Sequence, residues 1–204
     1  GWLRRVKRGL YLVIDSLTSR SRNDLSLGTI ANALMEDSYV SLTYALNDYH
    51  LFDQFGKTVV SITPRANARY RFDGITFQFS KVKKEMYFGF TEKLEGGKTI
   101  RIAHAEKALI DFLYLDKRFR SASLVFEILR DHSHDLDLNM LQDFALRTGI
   151  TVQRKIGFLL DALHLDSTRL ASSVKKNRSV SRFTRDSRSF NSKWRIYYDD
   201  RIIG

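Results

Sequence analysis

With 204 residues, 43% of them hydrophobic and 12% aromatic, the chain has ample material for a packed core and too much for wholesale disorder. It contains no cysteine, which excludes a disulfide scaffold, a thiolate metal site and a cysteine nucleophile together. No apolar run approaches the roughly eighteen residues of a membrane span. The net charge of +11 sits at two places: Arg4, Arg5, Lys7 and Arg8 give +4 near the start, and Lys175, Lys176, Arg178, Arg182, Arg185, Arg188, Lys193 and Arg195 against Asp186 give +7 near the end. Charge concentrated in this way points to contact with a polyanion, where an even spread would indicate only solubility.

In chain order, Trp2–Val6 and Leu10–Ile14 are strand-like runs around a Lys7-Arg8-Gly9 turn. A lone hairpin is marginal in water, so Trp2, Leu3, Tyr11 and Val13 call for a partner. Because the first residue is Gly rather than Met, the expectation is that the chain begins inside a domain. Residues 15–26 carry no periodicity and are expected to be a linker. Leu27, Ile30, Ala31 and Leu34 have helical spacing. Glu36-Asp37-Ser38 interrupts it, and helical spacing resumes from Tyr39 to Leu51 with Ser41 a candidate cap. Two short helices around a tight turn, followed by strands, form a winged-helix-like pattern.

Val60 and Ile62 alternate with Ser61 up to Pro64, the sole proline. The clearest local signal follows: Arg69–Phe72 and Ile75–Phe79 flank Asp73-Gly74, the chemistry of a two-residue hairpin turn. A further hairpin is expected to join Tyr87–Thr91 to Thr99–Ile102 through Glu95-Gly96-Gly97-Lys98. From Ala103 the period becomes helical. Ala105, Ala108, Leu109, Phe112 and Leu113 form one stripe; Leu124–Leu129, Leu138–Ala145 and Val152–Leu163 form three more. Gly149 is placed to end the third helix and Thr151 to cap the fourth. Beyond residue 172 periodicity fades, and Trp194–Tyr198 is a late strand candidate that would dock the tail on the body.

Several groups hold chemistry-bearing residues. A basic hairpin resembles the wing of a DNA binder, which runs along the phosphate backbone and adds affinity without choosing a sequence. The helix pair of 27–51 does not suit DNA: between Arg22 and Lys57 there is no Lys or Arg, while Asp24, Glu36, Asp37, Asp48 and Asp53 make it −5. Asp131-His132-Ser133-His134-Asp135 gathers metal-capable groups but lacks a spaced further ligand. Lys107 and Asp111 have the spacing of an i,i+4 ion pair beside Glu106. Neither a phosphate-cradling glycine loop nor a nucleophile elbow occurs, so the chain is read as a non-enzyme that needs no cofactor.

Three segments, in this order, resemble the AbiEi family, the antitoxin half of bacterial type IV toxin–antitoxin and abortive-infection operons: Gly1–Tyr11, Ser38–Leu42 with Ala45-Leu46, and Ala103–Leu113 containing Ala105-Glu106-Lys107-Ala108-Leu109-Ile110-Asp111. The resemblance covers about residues 1–165. It implies an N-terminal winged helix that binds operator DNA and represses the operon, and a C-terminal domain acting against a nucleotidyltransferase-like toxin in the cytoplasm. Residues 1–14 would then be only the wing of the first part.

The fold expected is therefore α+β: a wing hairpin remnant (1–24 with its linker), then a domain of residues 25–172 with a winged-helix-like helix pair, antiparallel hairpins and a four-helix bundle, then a basic tail, 173–204. Arg4, Arg5, Lys7 and Arg8 are the first candidates for phosphate contact, with Lys175, Lys176, Arg178, Arg182, Arg185 and Arg188 second. Four wing contacts would give log affinity a slope against log salt of about −3.6. The alternative reading is a nucleic-acid-binding regulator or module without antitoxin activity. A third, an enzyme acting on nucleic acid, would need a metal at His132 and His134.

Overall fold

In the computed structural model, which describes residues 2–14, 26–54, 56–95 and 97–203, the chain is α+β and divides into two compact units, Gly1–His104 and Ala105–Gly204. The division falls where the sequence period changes from two to 3.6, inside the stretch expected to form one domain from 25 to 172. The expected linker, 15–26, lies outside the described residues except for Ser26, which caps the first helix. Among the described residues no helix is long and apolar enough to cross a membrane.

The first unit opens with β1 (Trp2–Lys7) and β2 (Leu10–Ile14), an antiparallel pair. Two helices follow, α1 (Leu27–Leu34) and α2 (Leu42–Asp48), but the break between them is not a tight turn. It contains a wholly buried strand, β3 (Tyr39–Ser41). Ser41 does stand at the cap position of α2, yet its side chain makes no cap hydrogen bond. A six-stranded mixed sheet completes the unit: β4 (Thr58–Thr63), β5 (Ala68–Phe72), β6 (Ile75–Lys81), β7 (Phe90–Glu95) and β8 (Lys98–Ala103), in the order β5-β6-β4-β3-β8-β7.

The β5–β6 turn is Asp73-Gly74, with φ of 52° and 78°. Positive φ at both central residues matches the right-handed twist of the strands it joins. The last hairpin pairs Glu95 with Lys98, so its strands run closer to the tip than the alternation alone indicates. Strand β3 is central because it buries both faces. Val40 joins Ile30, Ala31, Leu34, Val59, Phe77 and Phe79 in one cluster, while Tyr39 stacks on Phe90 with ring centroids 4.8 Å apart. At the start of α1, Tyr44 donates to Glu95 Oε1 at 2.8 Å and accepts from the Gly28 amide at 3.0 Å. Burial, then that bond to Glu95, drives the Tyr44 phenol well above its ordinary pKa. A Cβ at Gly28 would press on Glu95, Ile100 and Tyr44 together.

The second unit is built on two helices buried almost all round, α3 (Ala105–Leu115) and α6 (Ile150–Ala162). Packed with them are α4 (Phe119–His132), α5 (Leu138–Leu146) and α7 (Thr168–Val174). The bundle thus has five helices among the described residues rather than four. Two local expectations are corrected: Gly149 does not end α5 but is the N-cap residue of α6, with an ordinary φ of −71°, and Thr151 lies inside α6. The tail is likewise structured. Strands β9 (Ser181–Arg182), β10 (Ser189–Asn191) and β11 (Ile196–Tyr198) form a sheet of order β10-β11-β9.

A helix buried on every side must satisfy its own polar residues. Lys107 and Asp111, both wholly buried, pair with each other along α3. Glu106 accepts the Asp137 amide at 2.8 Å, supplementing the cap at the start of α5. On α6, Arg154 is wholly buried and, among the described residues, bonds only neutral acceptors, on Asn177, Ser179 and Ser181. Burial, with Arg195 adding repulsion, lowers its pKa. Its neighbour Lys155 donates to the Leu113 carbonyl at 3.0 Å, one of the C-terminal carbonyls of α3 that lack a helical partner, where a cation is also favoured by the helix dipole.

Two predictions test this core. The indole of Trp194 lies so close to Gly157 that a Cβ there would overlap the ring; Gly157→Ala should therefore lower stability by about 2–3 kcal/mol or more, seen as an earlier denaturation midpoint by indole fluorescence. Burial, and next Lys117, pull the Lys155 ammonium down to about 8, with Asp116 opposing. Its folded pKa is below its unfolded value, so between about pH 8 and 10.5 the unfolded chain holds the extra proton and stability rises with pH. Relative to Lys155→Met, the native chain should gain up to roughly 3 kcal/mol across that window; parallel stability curves for the two would refute it.

Candidate nucleic-acid interface

The basic hairpin is irregular in a way that sorts its charges. Its register runs Arg5↔Tyr11 and then Lys7↔Leu10, leaving Val6 as an extra residue. A bulge of this kind lets two successive side chains lean to one side and raises the local twist. Val6 and Leu10 pack against the α1 cluster, and Lys7 donates to the Leu34 carbonyl at 2.7 Å, at the C-terminal end of α1 where a cation is favoured. Arg4 bonds Asp73 at 3.2 Å and lies 5.1 Å from the centre of the Phe72 ring. Arg5 and Arg8 are exposed and make no side-chain bond among the described residues. Two of the four proposed phosphate ligands are thus engaged by the rest of the first unit, and two have no side-chain partner among the described residues.

The hairpin also explains part of the partner problem raised by its apolar residues. Its inner residues rest on the first unit, while Leu3 and Tyr11 stay 68% and 53% exposed. The side chains of Trp2 and Val13 lie outside the described residues. Beside the hairpin is a groove of about 840 Å³ lined by Val6, Leu10, Asn32, Glu36, Glu92 and Arg101 among others. Its two carboxylates, Glu36 and Glu92, offset its two cations, Lys98 and Arg101, so the groove has no excess positive charge to draw a phosphate. Helix α1 has no charged residue and α2 only Asp48, which is paired to Lys93 at 2.5 Å. Neither helix offers a cation to a nucleic-acid backbone.

The second set of cations lies on the tail sheet and the loop before it, which are held to α6 by a cluster of contacts. Trp194, wholly buried, donates from Nε1 to Asp161 at 2.7 Å, and Lys193 pairs with the same carboxylate at 2.5 Å. Burial works against charge on Asp161, yet Lys193, Ser167 and Trp194 hold its pKa below the usual carboxylate range. Phe158 on α6 receives Tyr198 at 4.5 Å and Phe183 at 6.0 Å between ring centres. Around this anchor Lys175, Lys176, Arg178, Arg182, Arg185 and Arg188 are all exposed.

These six are not equivalent. Arg182 donates to the Ser187 carbonyl at 2.7 Å and covers Tyr197, 4.7 Å from the ring centre. Arg201 first, and Arg188 more weakly, hold the Asp199 carboxyl below its ordinary pKa. Lys175, Lys176, Arg178 and Arg185 make no side-chain bond among the described residues. The sequence places Tyr197 in the late strand Trp194–Tyr198, part of which forms β11, but gives no sign of Phe190, whose ring lies 5.0 Å from it on this sheet. The three residues of β10 are too few to show a period in the sequence.

The other chemistry-bearing groups have structural occupations. His132 and His134 both face Asp135, at 3.1 and 3.3 Å, and among the described residues no group of three His, Asp or Glu side chains converges as a metal site would. Glu106, Lys107 and Asp111 are buried within the second unit.

No family model and no curated protein matches the chain. Among solved structures, the RV2827C protein from Mycobacterium tuberculosis shares the fold, with a TM-score of 0.56 at 12% identity over 83% of this chain. The match covers 65% of that protein, so the chain spans just under two thirds of its length.

The sorting of the hairpin charges has a measurable consequence. Were the hairpin to track duplex DNA, Arg5 and Arg8, the two without a side-chain partner among the described residues, would give it a salt slope of about −1.8 rather than −3.6. Replacing Arg5 and Arg8 with Ala together should reduce the slope by that amount. Replacing Arg4 and Lys7 should leave the slope nearly unchanged and lower thermal stability instead. Equal slope changes from the two pairs would overturn the assignment.

Proposed function

We propose that the chain is an antitoxin of the AbiEi type, acting against a nucleotidyltransferase-like toxin, and that it represses its own operon by binding operator DNA through the phosphate backbone. The observation that carries this reading is the hairpin of Trp2–Ile14: it rests its inner side on the first unit and turns Arg5 and Arg8 outward, the disposition a DNA-tracking wing requires. Two of the three segments that resemble the family have clear framework roles. Ser38–Leu42 contains the central strand β3, and Ala103–Leu113 ends β8 and builds α3, the axis of the second unit. On this reading Glu106, Lys107 and Asp111 hold the antitoxin part together and are not catalytic, and α1 and α2 serve packing or protein contact within a winged-helix-like arrangement.

The two cationic surfaces by themselves fit equally a nucleic-acid-binding regulator without antitoxin activity, so the decisive measurement is biological. Co-expression of the chain with the nucleotidyltransferase-like protein encoded beside it should restore growth, and Arg5→Ala with Arg8→Ala should leave that rescue intact while weakening promoter binding. Continued growth arrest with the natural, full-length protein would defeat the antitoxin assignment.

A further inference from the structure

The tail sheet places one residue from each strand in a single row. Tyr197 of β11 is in register with Arg182 of β9 on one side and with Phe190 of β10 on the other. Alternation along a strand sends neighbours to opposite faces. Ser181, Phe183 and Ile196, which flank this row along their strands, are buried, so Arg182, Tyr197 and Phe190 occupy the outer face. Phe190 is 47% exposed. The row is a continuous cation–aromatic strip, with the Arg182 guanidinium 4.7 Å from the Tyr197 ring centre and the Phe190 ring 5.0 Å beyond.

We propose that this face binds single-stranded nucleic acid, with unpaired bases stacking along the Arg182–Tyr197–Phe190 strip. Aromatic rings and guanidinium planes accept any base, since every base has a π face. The surrounding charge suits a polyanionic backbone: residues 175–201 hold nine basic side chains against three acidic ones. Of those three, Asp199 is paired to Arg201 at 2.6 Å and Asp200 accepts from Ser189 at 2.5 Å. Lys175, Lys176 and Arg178 stand in the loop leading to β9 with no side-chain partner among the described residues, available to phosphates. A duplex, whose bases are already stacked on one another, uses only the charges and leaves the rings idle. The inference does not depend on the antitoxin reading.

The test uses the whole chain and labelled homopyrimidine oligonucleotides of about twelve nucleotides, as DNA and as RNA, a length within the usual range for such sites. Both should bind. Phe190→Leu, which keeps an apolar side chain but removes the ring, should weaken binding by about five- to a hundredfold with an unchanged salt slope and an unchanged melting temperature. Tyr197→Leu should act in the same direction, and Phe190→Trp should retain affinity. Lys175→Ala with Lys176→Ala should instead lower the slope by about 1.4. Failure of the native chain to bind either oligonucleotide, or native-like binding by Phe190→Leu, would overturn the proposal. So would equal Phe190-dependence for a blunt duplex of the same length. Loss of growth rescue with this pattern intact would remove the antitoxin reading and leave the stacking surface standing.

Discussion

The contact on which the second unit depends is the seat of Trp194 on α6. At Gly157 the helix has no side chain, and the indole fills that space, its Nε1 held by Asp161. Short strands are weak on their own, and the tail strands have two or three residues each. What orders them is the apolar surface that Trp194, Phe183, Ile196 and Tyr198 bury against the helices, together with the bonds Arg154 makes to Asn177, Ser179 and Ser181. Without the glycine, the basic tail would lose the seat of its largest buried side chain.

That seat turns a quantity of charge into a surface. A cation in a solvated tail contributes to binding only after its ordering entropy is met at the moment of contact, whereas one on a folded sheet is placed beforehand. The same principle operates at the other end of the chain, where a single bulge at Val6 directs Lys7 into the body and leaves Arg5 and Arg8 outside. In both places the fold divides like charges into those that hold structure and those free to meet a partner. Lys193 and Arg195 fall in the first group, one bound to Asp161 and the other to the Arg178 and Ser179 carbonyls.

Much of the scaffold was legible because its signals are local. Asp73-Gly74 specifies its hairpin through the φ values those two residues tolerate, and the α3 stripe follows from helical spacing alone. Other elements misled for identifiable reasons. Tyr39–Ser41 reads as the start of a helix because Val40, Tyr44 and Leu51 keep a helical rhythm, but Tyr39 and Val40 each find a separate packing layer and draw the segment into the sheet. Gly149 reads as a helix end by composition, yet its φ is ordinary and the chain uses it to enter α6. The absence of basic residues from 27–51 is a property of the sequence itself, and α1 and α2 carry it unchanged.

By itself the sequence determined the alternation and helical periods, the turn chemistry, the absence of cysteine and the confinement of excess positive charge to two short stretches, because each of these is a property of neighbouring residues. Only the tertiary structure decided which cations are free, that Phe190 and Tyr197 line up with Arg182, and that residues 181–198 form a sheet at all. Those outcomes depend on partners far along the chain, Leu34 for Lys7, Asp73 for Arg4 and Gly157 for Trp194, and no local pattern encodes a contact whose other half lies dozens of residues away.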